Sequence, residues 1–206
     1  FDFDGTLVDS NPIKRRAFAQ CFSAFPNRIE EILAYCWSHH DVPRSVKFRH
    51  VYERILGLPY TPQVAVALEA RFDGQTTRQI IDAPEIGGAS LFLRTISGNY
   101  ETALLSSTPH AVLLHIVSQR GWLEYFTRVQ GAPVDKAAWL RQVREDHASA
   151  EGAIVFFGDT PEDAQAAVAA GCTFVGGGAD RALGRVSLHA SNFLALLSND
   201  SERMKR

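Results

Sequence analysis

Phe1-Asp2-Phe3-Asp4-Gly5-Thr6-Leu7-Val8-Asp9-Ser10 decides how this chain is read. In an extended backbone, residues i and i+2 point to the same side. Asp2 and Asp4 therefore converge at one strand end, and Gly5-Thr6 turns the chain directly after them. Two like charges that close repel unless something cationic sits between them. A divalent metal and a catalytic pair are the two usual solutions. An ordinary strand end with an acidic turn is the plainer one.

Four later apolar runs also end in small, polar or charged residues. Residues 102–105 run into Ser106-Ser107, 128–130 into Gly131, 154–157 into Gly158-Asp159, and 173–175 into Gly176-Gly177-Gly178. Between them, 109–120, 136–147 and 161–170 carry helical patterning. Strand, helix, strand at this spacing predicts a parallel α/β sheet. Ligands of such sheets bind at the carboxyl ends of the strands, which is where each of these polar clusters falls. Residues 14–84 differ. Helices are predicted over 14–25, 29–38, 45–56 and 62–71, with breakers at Pro26-Asn27, Asp41-Val42-Pro43 and Gly57-Leu58-Pro59 and no convincing strand. This block reads as a helical insertion hanging off the first strand. It returns near Pro84-Glu85-Ile86-Gly87-Gly88, and a further helix is predicted over 89–96. The polar tail, 198–206, is expected to fray.

Three more strand ends supply partners for the two aspartates. Thr108 suits an N-cap and Pro109 the first helical position, so Ser106-Ser107-Thr108 is either a capping cluster or an anion site at a helix N-terminus. Lys136 opens the next helix, at the unfavourable end of its dipole, and offers a compact charge suited to phosphate. In Gly158-Asp159-Thr160-Pro161-Glu162-Asp163, a capping box accounts for Thr160 and Asp163. It does not account for Asp159. Hard divalent cations such as Mg2+ take oxygen ligands from a few carboxylates and waters.

In this order, D-x-D-G-T, then S, then K, then G-D-x-x-x-D, the chain resembles the haloacid dehalogenase superfamily of phosphatases and phosphomutases. The match covers residues 1–12 and 86–180 by motif and the helical block by position. The resemblance implies an α/β fold, a Rossmann-like parallel sheet core with an inserted α-helical cap domain. The core is expected over 1–13 and 86–206, and the cap over 14–85. By resemblance, Asp2 is the nucleophile that forms an aspartyl-phosphate. Asp4 is the general acid and base, and its backbone carbonyl also binds Mg2+. Asp159 is a metal ligand, while Asp163 either ligates the metal or holds a metal-bound water. Ser106, or Ser107 one residue on, and Lys136 bind phosphate, and Lys136 also offsets charge on Asp2. Ala137 stands where many relatives have proline.

Substrate choice is expected in the cap. The segment His39-His40-Asp41-Val42-Pro43-Arg44-Ser45 resembles the specificity loop of helical-capped members. Arg44 there is similar in position to an arginine that grips the non-reacting phosphate in beta-phosphoglucomutases, or else it is a surface residue beside a turn. His39 and His40 lack the Cys or carboxylate spacing of a zinc site. Asn11 and Lys14 face either the substrate or solvent. Gly176-Gly177-Gly178 lacks a nucleotide-binding pattern.

The 206 residues carry 46% hydrophobic and 21% charged side chains, as an ordinary globular chain does. A formal net charge of -2 gives no electrostatic case for nucleic acid or an anionic membrane. The short run Lys14-Arg15-Arg16 reads as a solvated helix face. Cys21, Cys36 and Cys172 are widely spaced, with no C-x-x-C, which fits reduced thiols in the cytoplasm. The chain opens without Met and inside a strand, so a few apolar residues are expected ahead of Phe1. The expectation is a Mg2+-dependent phosphatase acting on a small phosphorylated metabolite, of the phosphoglycolate or sugar-phosphate class. The alternatives are a phosphomutase of the beta-phosphoglucomutase type and a non-catalytic binding module on the same fold.

Overall fold

The computed structural model describes residues 1–39, 42–147, 154–177, 189–190 and 192–197. They form two compact units, Phe1–Asp9 with Pro84–Arg206, and Ser10–Ala83. The division falls a few residues before both expected boundaries.

The first unit is built on a parallel sheet. β1 (Ala103–Pro109) pairs with β2 (Arg128–Ala132). β3 (Val155–Gly158) pairs with β4 (Thr173–Gly177), and β4 with the short β5 (His189–Ala190). Residues 1–3 join the two groups. Phe1 N donates to Ala103 O and Leu105 N to Phe1 O, both at 2.8 Å, and Asp2 N donates to Phe157 O at 2.8 Å. One residue bonding to two positions two apart on its neighbour is the parallel ladder. The order across the sheet is therefore β2, β1, residues 1–3, β3, β4, β5. The strand that carries Asp2 lies in the middle.

Helices return the chain between strands: α6 (His110–Gln119), α7 (Lys136–Asp146) and α8 (Pro161–Ala170). Asp135 caps α7 by accepting from Ala138 N at 2.9 Å. α8 starts with the expected capping box, Thr160 with Asp163, and stops at Gly171, whose φ of +69° suits a residue without a side chain. Leu105, Leu140, Phe156, Ala167 and Phe174 pack into one core cluster. A second forms around Phe1, which stacks on Phe157 at 4.6 Å, with Phe92 of α5 (Ala89–Ile96) and Phe193 against the same rings.

The second unit holds α1 (Asn11–Cys21), α2 (Ile29–Ser38), α3 (Arg44–His50), which runs on as a π turn over Val51–Ile55, and α4 (Pro62–Ile81). α4 continues ten residues beyond its predicted stop at 71. Leu68, Phe72, Thr76 and Ile80 recur every fourth residue as its buried stripe, and this outweighs the single Gly74. The unit's core includes Phe18, Phe22, Ile32, Phe48 and Phe72. Cys21 and Cys36 are free thiols within it, pushed up by burial to about 11 and about 12. Among the described residues no helix is long and apolar enough to cross a membrane.

The chain leaves and re-enters the first unit along a narrow ribbon. Val8 bridges Glu85 antiparallel, Asp9 N donates to Pro84 O at 3.0 Å, and Ile86 N to Leu7 O at 2.9 Å.

Candidate active site

The site grows from the first strand end. After Asp4 the chain turns at once: Gly5 takes φ +79°, a conformation open to glycine, and Gly5 N donates to Val8 O at 2.8 Å. The carboxylates of Asp2 and Asp4 then meet different partners.

Asp2 is 5% exposed and faces β3 and α7. Its Oδ1 accepts from Lys136 Nζ at 3.0 Å, and the same ammonium donates to Asp163 Oδ1 at 2.6 Å. The capping box places Asp163: its Oδ2 accepts from Thr160 Oγ1 at 2.7 Å, and its N donates back to Thr160 Oγ1 at 3.1 Å. Asp163 is fully buried. The box therefore explains the position of Asp163 and leaves its Oδ1 for Lys136. Gly158 makes room for it, since a Cβ at 158 would stand 2.5 Å from Asp163 Cβ. Asp159, half-buried at the mouth of β3, accepts from Thr6 Oγ1 at 3.2 Å.

Among the described residues, oxygens of Asp2, Asp159 and Asp163 lie within 4.8 Å of one another. Burial raises Asp2 to about 6, helped by the charges of Asp163 and Asp4 and opposed by Lys136. Lys136 is driven above the usual lysine range, its two carboxylates outweighing its burial. Three carboxylates against one ammonium leave two negative charges. An all-oxygen donor set with that charge fits a hard divalent cation.

Asp4 turns toward β1. Its Oδ2 accepts from Thr108 Oγ1 at 2.8 Å and from Ser106 Oγ at 3.3 Å. Its carboxylate is not one of the three clustered acids. Ser107 lies on the alternate position of the strand, half-buried, and Ser106 is the serine whose hydroxyl lies beside Asp4. The predicted N-cap at Thr108 is corrected. β1 runs through Pro109, α6 starts at His110 without a side-chain cap, and the Thr108 hydroxyl bonds Asp4. Among the described residues, the Thr6 hydroxyl beside Asp159 is a contact that sequence reasoning missed, and Thr108 was assigned to a cap or an anion site without its bond to Asp4. Thr6 was in plain sight within the first motif.

Arg44 belongs to the other unit and opens α3. Its Nη1 lies 2.7 Å from Asp73 Oδ1, its Nη2 pairs with Glu69, and the guanidinium sits 4.5 Å over the Phe72 ring. The guanidinium is thus held within its own unit by two carboxylates. His40 and Asp41, in the expected specificity loop, and Gly178, in the triple-glycine loop, lie outside the described residues.

The model of the haloacid dehalogenase-like hydrolase family matches residues 1–171. No curated protein matches the chain. Among solved structures, a predicted phosphoglycolate phosphatase from Haemophilus somnus 129PT superposes with a TM-score of 0.74 at 18% identity, covering 97% of this chain and 96% of that one. A candidate beta-phosphoglucomutase from Thermotoga maritima gives 0.69 at 18% identity, over 97% of each chain. CbbY from Rhodobacter sphaeroides, solved in complex with phosphate, gives 0.70 at 14% identity, over 95% and 94%. At these identities the likeness is one of fold.

Proposed function

This chain belongs to the haloacid dehalogenase-like hydrolases, and we propose that within that family it is a Mg2+-dependent phosphatase of small phosphorylated metabolites. The observation that carries the reading is Asp2, a buried carboxylate at a strand end, bonded to Lys136 beside Asp159 and Asp163. Phosphoryl transfer asks mainly for positioning and charge neutralisation, and this group supplies both.

In the proposed reaction an Asp2 oxygen forms a bond to phosphorus as the bond to the leaving oxygen breaks. Asp4 gives its proton to that leaving oxygen. Water then attacks the aspartyl-phosphate, Asp4 takes back a proton, and phosphate leaves with the Asp2 carboxylate restored. Lys136 holds Asp2 in place and neutralises charge, and Ser106 offers a hydroxyl to the phosphoryl group. Asp2, Asp159 and Asp163, with the Asp4 carbonyl, would hold Mg2+, which when bound offsets the charge of the phosphoryl oxygens. We assign substrate choice to the helical unit, and the three free thiols suit a reducing compartment such as the cytoplasm.

A phosphomutase would use the same two aspartates, and the Thermotoga neighbour keeps that reading in view. Its support in the sequence is Arg44, which is already engaged by Glu69 and Asp73. The first test is phosphate release with Mg2+ from 2-phosphoglycolate, several sugar phosphates and an aryl phosphate, with Asp2→Asn as control. Release that disappears in the variant supports the phosphatase. A requirement for a bisphosphate activator, with little free phosphate, would favour the mutase. Silence on every substrate would sink the phosphatase reading.

A further inference from the structure

Thr108 contributes two hydrogen bonds around the Asp4 carboxylate. Its Oγ1 donates to Asp4 Oδ2 at 2.8 Å, the shorter of the two hydroxyl contacts to that oxygen. Its backbone N donates to Ser106 Oγ at 3.1 Å, which occupies a lone pair of that hydroxyl and leaves its hydrogen for Asp4. Both residues are nearly sealed, at 7% and 1% exposure. Threonine is also stiff at its first side-chain torsion, so the hydroxyl is aimed as well as present.

The register of β1 against β2 shifts at this point. Leu105 stands opposite Gln130 and Pro109 opposite Ala132, so β1 spends four residues where β2 spends two. Bulges of this kind re-aim side chains beside active sites. β2 meets the bend with a glycine: a Cβ at Gly131 would stand 2.6 Å from Thr108 O and 2.6 Å from His110 Cα.

We propose that Thr108 is a positioning residue that sets the orientation of Asp4 for proton transfer to the leaving oxygen. The proposal rests on the phosphatase reading. A poorly aimed Asp4 costs most when the leaving oxygen is an alkoxide that must receive a proton as its bond to phosphorus breaks. In that first step it costs little when a nitrophenolate leaves without one, and the later return of a proton to Asp4 is common to both esters, so kcat/KM is the quantity that separates them.

The experiment compares an alkyl phosphate that the wild type hydrolyses with p-nitrophenyl phosphate, using Thr108→Val, Thr108→Ala and Thr108→Ser with Mg2+. Thr108→Val and Thr108→Ala should each lose about tenfold or more in kcat/KM on the alkyl ester, a part of the roughly 10²–10⁴-fold that general acids supply. On the aryl ester they should lose much less, and Thr108→Ser should restore the alkyl rate. Thr108→Ala adds no bulk and carries the test if the valine variant melts early. Equal losses of kcat/KM on both esters, or a raised KM with kcat intact, would overturn the proposal. A wild type silent on both esters would sink the phosphatase reading and this proposal with it. An active wild type with unaltered variants would sink the proposal alone.

Discussion

Lys136 Nζ lies 3.0 Å from Asp2 Oδ1 while also holding Asp163 at 2.6 Å. One ammonium thus ties the first strand to the head of α8. Removing it leaves two buried carboxylates facing each other. Lys136→Met should therefore cost about 3–5 kcal/mol at pH 7.5, the usual penalty for breaking a buried pair by one partner. Urea unfolding checks this. The cost should shrink near pH 5, because without Lys136 the Asp2 carboxyl takes up a proton more readily. A loss that is the same at both pH values would show that the ammonium is not what offsets Asp2.

Asp2 itself gives a second expectation. Its carboxyl stands at about 6 in the fold against 3.8 ordinarily, with burial the largest cause. A raised value means that its contribution to stability is full below the lower number and is lost as pH rises through about 6. Metal-free protein should lose melting temperature between pH 5 and 7, and Asp2→Asn should lose less. A cation needs the ionised carboxylate. The rise in melting temperature produced by Mg2+ should accordingly grow from pH 5 to 7.5, measured by thermal scanning at fixed Mg2+. A rise that does not change with pH would contradict the assignment of Asp2 as a ligand.

Gly158 leaves no room for a side chain beside Asp163. Alanine there would set a Cβ 2.5 Å from Asp163 Cβ and 2.8 Å from its Cγ. Gly158→Ala should cost about 1–3 kcal/mol through overpacking and weaken Mg2+ binding, because Asp163 must yield. Calorimetric titration with Mg2+ reads the second effect. Unchanged affinity would mean that the position of Asp163 does not matter to the cation.

Arg44 should matter for the stability of the helical unit. Its two carboxylate partners and the Phe72 ring make Arg44→Met a loss of about 1.5–3 kcal/mol, the scale of a charged hydrogen bond. Turnover of a substrate with one phosphate should stay within about threefold. A large rise in KM with stability intact would favour the anion-gripping role, one of the two readings that the sequence left open for Arg44.

The sheet was legible because β1 to β4 each begin within one residue of an apolar run, although β1 continues well past Leu105, and α2, α5 and α8 fall on the residues their patterns predicted. Asp2, Lys136, Asp159 and Asp163 were legible as a set because strand ends in a parallel sheet share one edge. Their pairing was not. A capping box predicts that Asp163 bonds Thr160, but nothing local says that its second oxygen meets Lys136. Thr108 was misjudged for a related reason. Thr-Pro is a sound helix start by local chemistry, and only the pairing of β1 with β2 keeps it in the strand. Arg44 shows the same limit. Its partners, Glu69 and Asp73, lie in the part of α4 that spacing alone cannot bring beside α3.

The ribbon of residues 7–9 against 84–86 closes the base of the helical unit as a hairpin would. To the sheet, everything from residue 10 to 83 is topologically one turn. The entropy of closing a loop grows only with the logarithm of its length, so the sheet is nearly indifferent to how long that turn is or what it folds into. A lineage can exchange, lengthen or trim this segment without moving Asp2 or Asp4 from the strand end, and the same chemistry can be offered in turn to different substrates.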